Sequence, residues 1–87
     1  MRYQVILRPN VRKALNRLAE DDYRAIVSRL RSLAEQPRPS DVRKLSGIDL
    51  WRVRVRDFRV VYSVDDRERV VYIERIARRS EDTYKGL

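Results

Sequence analysis

The run Leu50 to Arg56, LWRVRVR, alternates Trp51, Val53 and Val55 against Arg52, Arg54 and Arg56. Successive side chains of an extended strand point to opposite faces, so this is a half-buried strand with one apolar and one cationic face. A sheet of this kind needs a cover for its apolar face and leaves the arginines in the open. Two further runs have the same character: Phe58 to Val64 (FRVVYSV) and Val70 to Ile76 (VVYIERI), separated by the turn Asp65 to Glu68. The second half of the chain is therefore a set of consecutive, antiparallel strands.

The first half supplies the cover. Tyr3 to Leu7 (YQVIL) reads as a strand that stops before Pro9, and Pro9 suits the first turn of a helix. Val11, Leu15 and Leu18 then fall at helical spacing with Ala14 beside them, which predicts a helix of about three turns. Asp21 and Asp22 are N-cap candidates for a second helix, whose stripe holds Tyr23, Ile26, Val27, Leu30, Leu33 and Ala34 and which ends before Pro37. Pro37 to Gly47 (PRPSDVRKLSG) reads as a connector pinned by Val42 and Leu45. The expected order is strand, helix, helix, strand, strand, strand: an α+β domain with a helical hairpin on a largely antiparallel sheet. At 87 residues the chain is one domain, residues 1–87, with modest stability of its own.

The register of the second and third strands decides what the open face carries. With Arg56 and Asp57 as a two-residue turn, Val55 pairs with Phe58, Arg54 with Arg59 and Arg52 with Val61. Arg52, Arg54 and Arg59 then share one face, while Val53, Val55, Phe58, Val60 and Tyr62 share the other. Trp51 falls with the apolar set and is read as core. Long arginines also serve to solvate a free sheet face. Like charges placed directly opposite, however, cost a few tenths to about 1 kcal/mol, and an anion among them is their natural complement.

Charge identifies the kind of partner. The chain has 21 Lys and Arg against 13 Asp and Glu, a formal charge of +8. The lysines are Lys13, Lys44 and Lys85 alone, so the charge rests on planar guanidinium groups suited to bidentate phosphate contacts. Cysteine and histidine are both absent, which excludes thiolate catalysis, disulfides, zinc–cysteine sites and the commonest general base. No cofactor or metal is expected. No apolar run approaches the ~18 residues of a membrane span, and the N-terminus has no secretory leader, so a cytoplasmic protein with no membrane association is expected.

The early strand with two helices, the segment KLSGIDLWRVRVRDFRVVYSV (Lys44 to Val64) and the tail IARRSEDTY (Ile76 to Tyr84) together resemble the RelE/ParE superfamily of type II toxin–antitoxin toxins, specifically its RelE branch. The resemblance spans essentially the whole chain, and it implies a small RelE-like fold. It also implies a metal-independent endoribonuclease that cuts mRNA on the ribosome and so inhibits translation. Carried over position by position, the implied catalytic residues are Arg59, Arg79 and Tyr84, with Arg78 competing for the place of Arg79 because tail spacing varies in the family, and the implied RNA-binding residues are Arg52, Arg54 and Arg78. Family members often have lysine on the second strand. Arg52 and Arg54 hold their protons at any working pH, so they can position phosphate but cannot serve as bases. Tyr84 is the candidate base, with Glu81 and Asp82 as alternatives.

The implied partners are a cognate antitoxin protein and mRNA on the ribosome, with operator DNA reached only through the antitoxin complex. Two other functions fit the same residues: a ParE-like inhibitor of DNA gyrase, and a non-catalytic nucleic-acid-binding module that uses the arginine face.

Overall fold

A computed structural model describes residues 2–78. Its elements are β1 (Gln4–Leu7), α1 (Pro9–Asn16), α2 (Glu20–Glu35), β2 (Arg43–Lys44), β3 (Trp51–Val55), β4 (Phe58–Asp65) and β5 (Val70–Arg78). The strands form one sheet in the order β1-β5-β4-β3-β2, with β1 parallel to β5 and the other pairs antiparallel. Both helices lie on one face, as expected. No described helix is long and apolar enough to cross a membrane.

The helices begin and end for local reasons. Pro9 occupies the first helical position of α1, where its missing N–H costs nothing, and Arg8 before it is extended at φ −66° and ψ 155°. The helix is shorter than the three turns expected. Arg17 and Leu18 donate to the carbonyls of Ala14 and Leu15 at 3.1 and 3.2 Å, and these tight bonds close the helix while Leu18 still packs on the core. Asp21 and Asp22 are not N-caps. Extended Ala19 holds that position without a side-chain bond, and Tyr23 N–H reaches its carbonyl at 2.9 Å. Glu20, Asp21 and Asp22 fill the first turn instead, where their charge meets the positive end of the helix dipole.

The core joins Val11 and Leu15 of α1, Ile26, Leu30 and Leu33 of α2, and Val53, Val55, Phe58, Val60, Tyr62, Val71 and Ile73 of the sheet. Each such side chain contributes about 1.5–3 kcal/mol by leaving water. Trp51 packs against this cluster, as expected, under the Arg38 guanidinium at 5.5 Å from its ring centre.

The connector after α2 is more ordered than its prolines suggest. Buried Tyr62 donates its hydroxyl to the Pro37 carbonyl at 2.7 Å. Arg38 grips Asp66 through two bonds of 3.0 and 2.8 Å, and the Tyr3 hydroxyl donates to the same carboxylate at 2.6 Å. Arg43–Lys44 then forms the short edge strand β2, absent from the six-element expectation. Gly47, at φ 77°, makes the turn that brings Leu45 N–H to the Leu50 carbonyl at 2.9 Å.

Candidate functional site

The β3–β4 hairpin has the expected register: Val55 pairs with Phe58, Arg54 with Arg59 and Arg52 with Val61. Arg56 takes φ 54° to close the turn and binds Asp22 of α2 at 2.8 Å. Since cross-strand partners share a face, Arg52, Arg54 and Arg59 stand together on the side away from the helices.

Two more arginines join them. β2 places Arg43 beside Arg52, and β5 places Arg75 beside Val61. One row across the sheet thus reads Arg43, Arg52, Val61, Arg75, and the next reads Arg54, Arg59, Ala77. Val61 and Ala77 are 1% and 7% exposed and form a small apolar floor beneath the guanidinium groups. Arg43 was hidden in the connector.

Arg75 was hidden by a change of parity. Strict alternation along Val70 to Ile76 puts Arg75 on the helix side with Val71 and Ile73. The structure has a β-bulge, in which Val61 pairs with Arg75 while Tyr62 pairs with Ile73, so that Glu74 is the extra residue. Beyond it the faces exchange: Ile76 turns to the core and Arg75 and Ala77 to the open side.

The same parity decides Arg78. β5 runs two residues past its expected end, and Arg78 pairs with core-facing Phe58, with its guanidinium 5.0 Å from the ring centre. The structure does not bring Arg78 onto the arginine face. Arg79 and Tyr84, with Glu81 and Asp82, lie outside the described residues.

Two features border the arginine face. At one end the Glu74 carboxylate accepts Arg8 at 3.0 and 3.3 Å and the Ser63 hydroxyl at 3.0 Å, and Arg8 lies 4.5 Å from the centre of the Tyr72 ring. That bond and the Glu74 charge raise the Arg8 pKa still further. At the β2 edge, Asp41, Arg43, Arg52 and Arg54 line a cavity of about 350 Å³. Such a face can hold an extended polyanion by several guanidinium groups at once.

The sequence and the fold resemble those of known proteins. Residues 5–83 match a family model described as the ParE toxin of the type II toxin–antitoxin system parDE. A Methanocaldococcus jannaschii protein described as toxin RelE1 is 33% identical over 90 residues, covering 99% of each chain. Among solved structures, the archaeal RelE–RelB complex from Pyrococcus horikoshii OT3 is 36% identical with a TM-score of 0.84, over 93% of this chain and 99% of that one. The Escherichia coli RelBE complex shares the fold at 24% identity and a TM-score of 0.77, over 87% of this chain and 95% of that one. On this sequence match and this shared fold, the chain belongs to the RelE/ParE superfamily and is a RelE-like toxin of a type II toxin–antitoxin system.

Proposed function

We propose that this toxin is a metal-independent endoribonuclease that cuts mRNA on the ribosome. The observation that carries the reading is the open arginine face, where Arg54 stands directly opposite Arg59 and Arg43, Arg52 and Arg75 complete two rows over a small apolar floor. A face built for folding alone would not juxtapose so many fixed positive charges.

The reaction is attack of an RNA 2′-hydroxyl on the adjacent phosphorus. The 2′-oxygen loses its proton to a base, the P–O5′ bond breaks, and the 5′-oxygen leaves with a proton, giving a 2′,3′-cyclic phosphate and a 5′-hydroxyl. Arg59 and Arg79 stabilise the charge gained by the phosphorane, and each removal costs about 2.7–4 kcal/mol of transition-state stabilisation in comparable sites. Arg52 and Arg54 hold the flanking phosphates. Tyr84 is the base: its ordinary pKa is about 10, and a site rich in guanidinium groups favours the phenolate. The antitoxin, whose relatives RelB form the complexes named above, covers this toxin in the cytoplasm and carries the pair to operator DNA.

The test adds purified toxin to translating ribosomes and, separately, to a gyrase supercoiling reaction, and maps message ends. Cuts within codons with unaffected supercoiling are expected, and Arg79→Ala and Tyr84→Phe each remove cleavage and growth arrest while leaving the fold intact. The matching family model bears the name of ParE, which favours gyrase inhibition as the second reading. Intact message with blocked supercoiling would establish that reading. Salt-sensitive RNA binding without product would make the protein a non-catalytic binder.

A further inference from the structure

The arginine face does not stop at the edge of the sheet. The cavity lined by Asp41, Arg43, Arg52 and Arg54 adjoins a second of about 330 Å³, lined by Ala25, Ser28, Arg29, Ser32, Asp41, Arg54 and Val55. Asp41 and Arg54 belong to both. A continuous groove therefore leaves the open face at β3 and runs onto α2.

At its centre the Arg29 Nη2 donates to both Asp41 oxygens at 2.5 Å. The Arg29 side chain is only 26% exposed, and its Nε–H is buried with no hydrogen-bond acceptor among the described residues. The guanidinium is thus held by one carboxylate through one nitrogen and has a further donor unused. A phosphodiester, whose one negative charge is shared by two non-bridging oxygens, can replace that carboxylate on Nη2 and, as Asp41 moves aside, reach the Nε–H that Asp41 leaves unused.

We propose that Arg29, with Arg54, is a phosphate subsite for the stretch of RNA that leaves the arginine face, and that Asp41 is a built-in competitor occupying it until RNA displaces it. This rests on the RNA-cleaving reading of the toxin. An acidic peptide would also satisfy the charges. Among the described residues, however, only Ala25 and Val55 give the groove apolar lining, whereas a peptide docks through buried apolar anchors, so RNA fits better.

The two partners of the pair then have opposite effects. Full-length protein is titrated into a labelled, 2′-O-methylated single-stranded RNA, which lacks the attacking hydroxyl, across a salt series. Arg29→Gln weakens binding and flattens the log–log salt dependence by about 0.7, so the affinity lost between about 50 and 200 mM salt shrinks by about 2.6-fold. Asp41→Asn strengthens binding by up to about fivefold, the equivalent of one exposed ion pair.

If the pair only braces α2 against the connector, both substitutions lower the melting temperature and shift affinity the same way, and the proposal falls. If neither matters while Arg52→Gln with Arg54→Gln abolishes binding, the subsite is wrong and the RNA reading stands. Unchanged binding in that double variant removes the RNA reading itself. Substitutions that alter binding of an oligoglutamate peptide but not of RNA would assign the groove to a protein partner and overturn the proposal.

Discussion

Asp66 shows how single side chains pin this small fold. Hydrogen bonds from Arg38 and then Tyr3 favour its ionised form, and its pKa falls from 3.8 to about 2. A carboxyl with a lowered folded-state pKa stabilises the fold above its unfolded value and loses that contribution as pH falls through the folded one. Its part of the acid unfolding therefore lies between about pH 4 and about pH 2. Asp66→Asn removes that part, so the melting temperature of the variant should vary less with pH across this window than that of the parent; parallel curves would sink the assignment. Tyr62 works in the opposite direction. Burial pushes its phenol up to about 12, so its contribution is intact below about pH 10 and is lost as pH rises towards 12. Tyr62→Phe leaves the Pro37 carbonyl without its donor and should cost about 1 kcal/mol at neutral pH, measured by urea denaturation.

At the scale of elements, what was legible follows from which signals are local. The hairpin register could be read because a two-residue turn fixes every pair behind it, and so Arg52, Arg54 and Arg59 were placed correctly. β2 could not be read, because two residues carry no period and owe their extended form to β3 beside them. The bulge could not be read either, since nothing in VVYIERI marks Glu74 as the extra residue. Arg8 lies 66 positions away in sequence, and it meets Glu74 only once β1 docks on β5. The bulge makes a sharp prediction. Deleting Glu74 brings Arg75 after Ile73 with the parity of the sheet unchanged, so the protein should still fold, at a cost close to that of Glu74→Ala, about 1 kcal/mol for a partly exposed pair. Deleting Ile76 instead turns Ala77 to the core side and Arg78 to the open side, and should cost several-fold more. Equal losses in the two deletions, by thermal melt, would show that parity is not what Glu74 absorbs.

For the whole molecule, fold and charge place different demands on the same sheet. One face is spent on a core shared with two short helices, and the other concentrates arginines within a chain of formal charge +8. A folded unit of this size has little stability in reserve, so any partner that recognises only the folded form raises that stability appreciably. An antitoxin that binds this toxin should therefore be measurable as a melting shift. At free antitoxin about 100-fold above its dissociation constant the gain is about 2.7 kcal/mol, which for a domain of this size is a rise of about 10–20 °C. An interface across the arginine face is electrostatic, so the rise should shrink as salt increases, and Arg52→Gln with Arg54→Gln should reduce both the rise and its salt dependence. A full shift that is insensitive to salt and to those two substitutions would place the antitoxin on the apolar margin where β1 meets the helices, lined by Tyr3, Val5, Leu7, Tyr23 and Val27. Inhibition would then work at a distance from the arginines, and the toxin could be bound by its antitoxin with the arginine face still open to RNA.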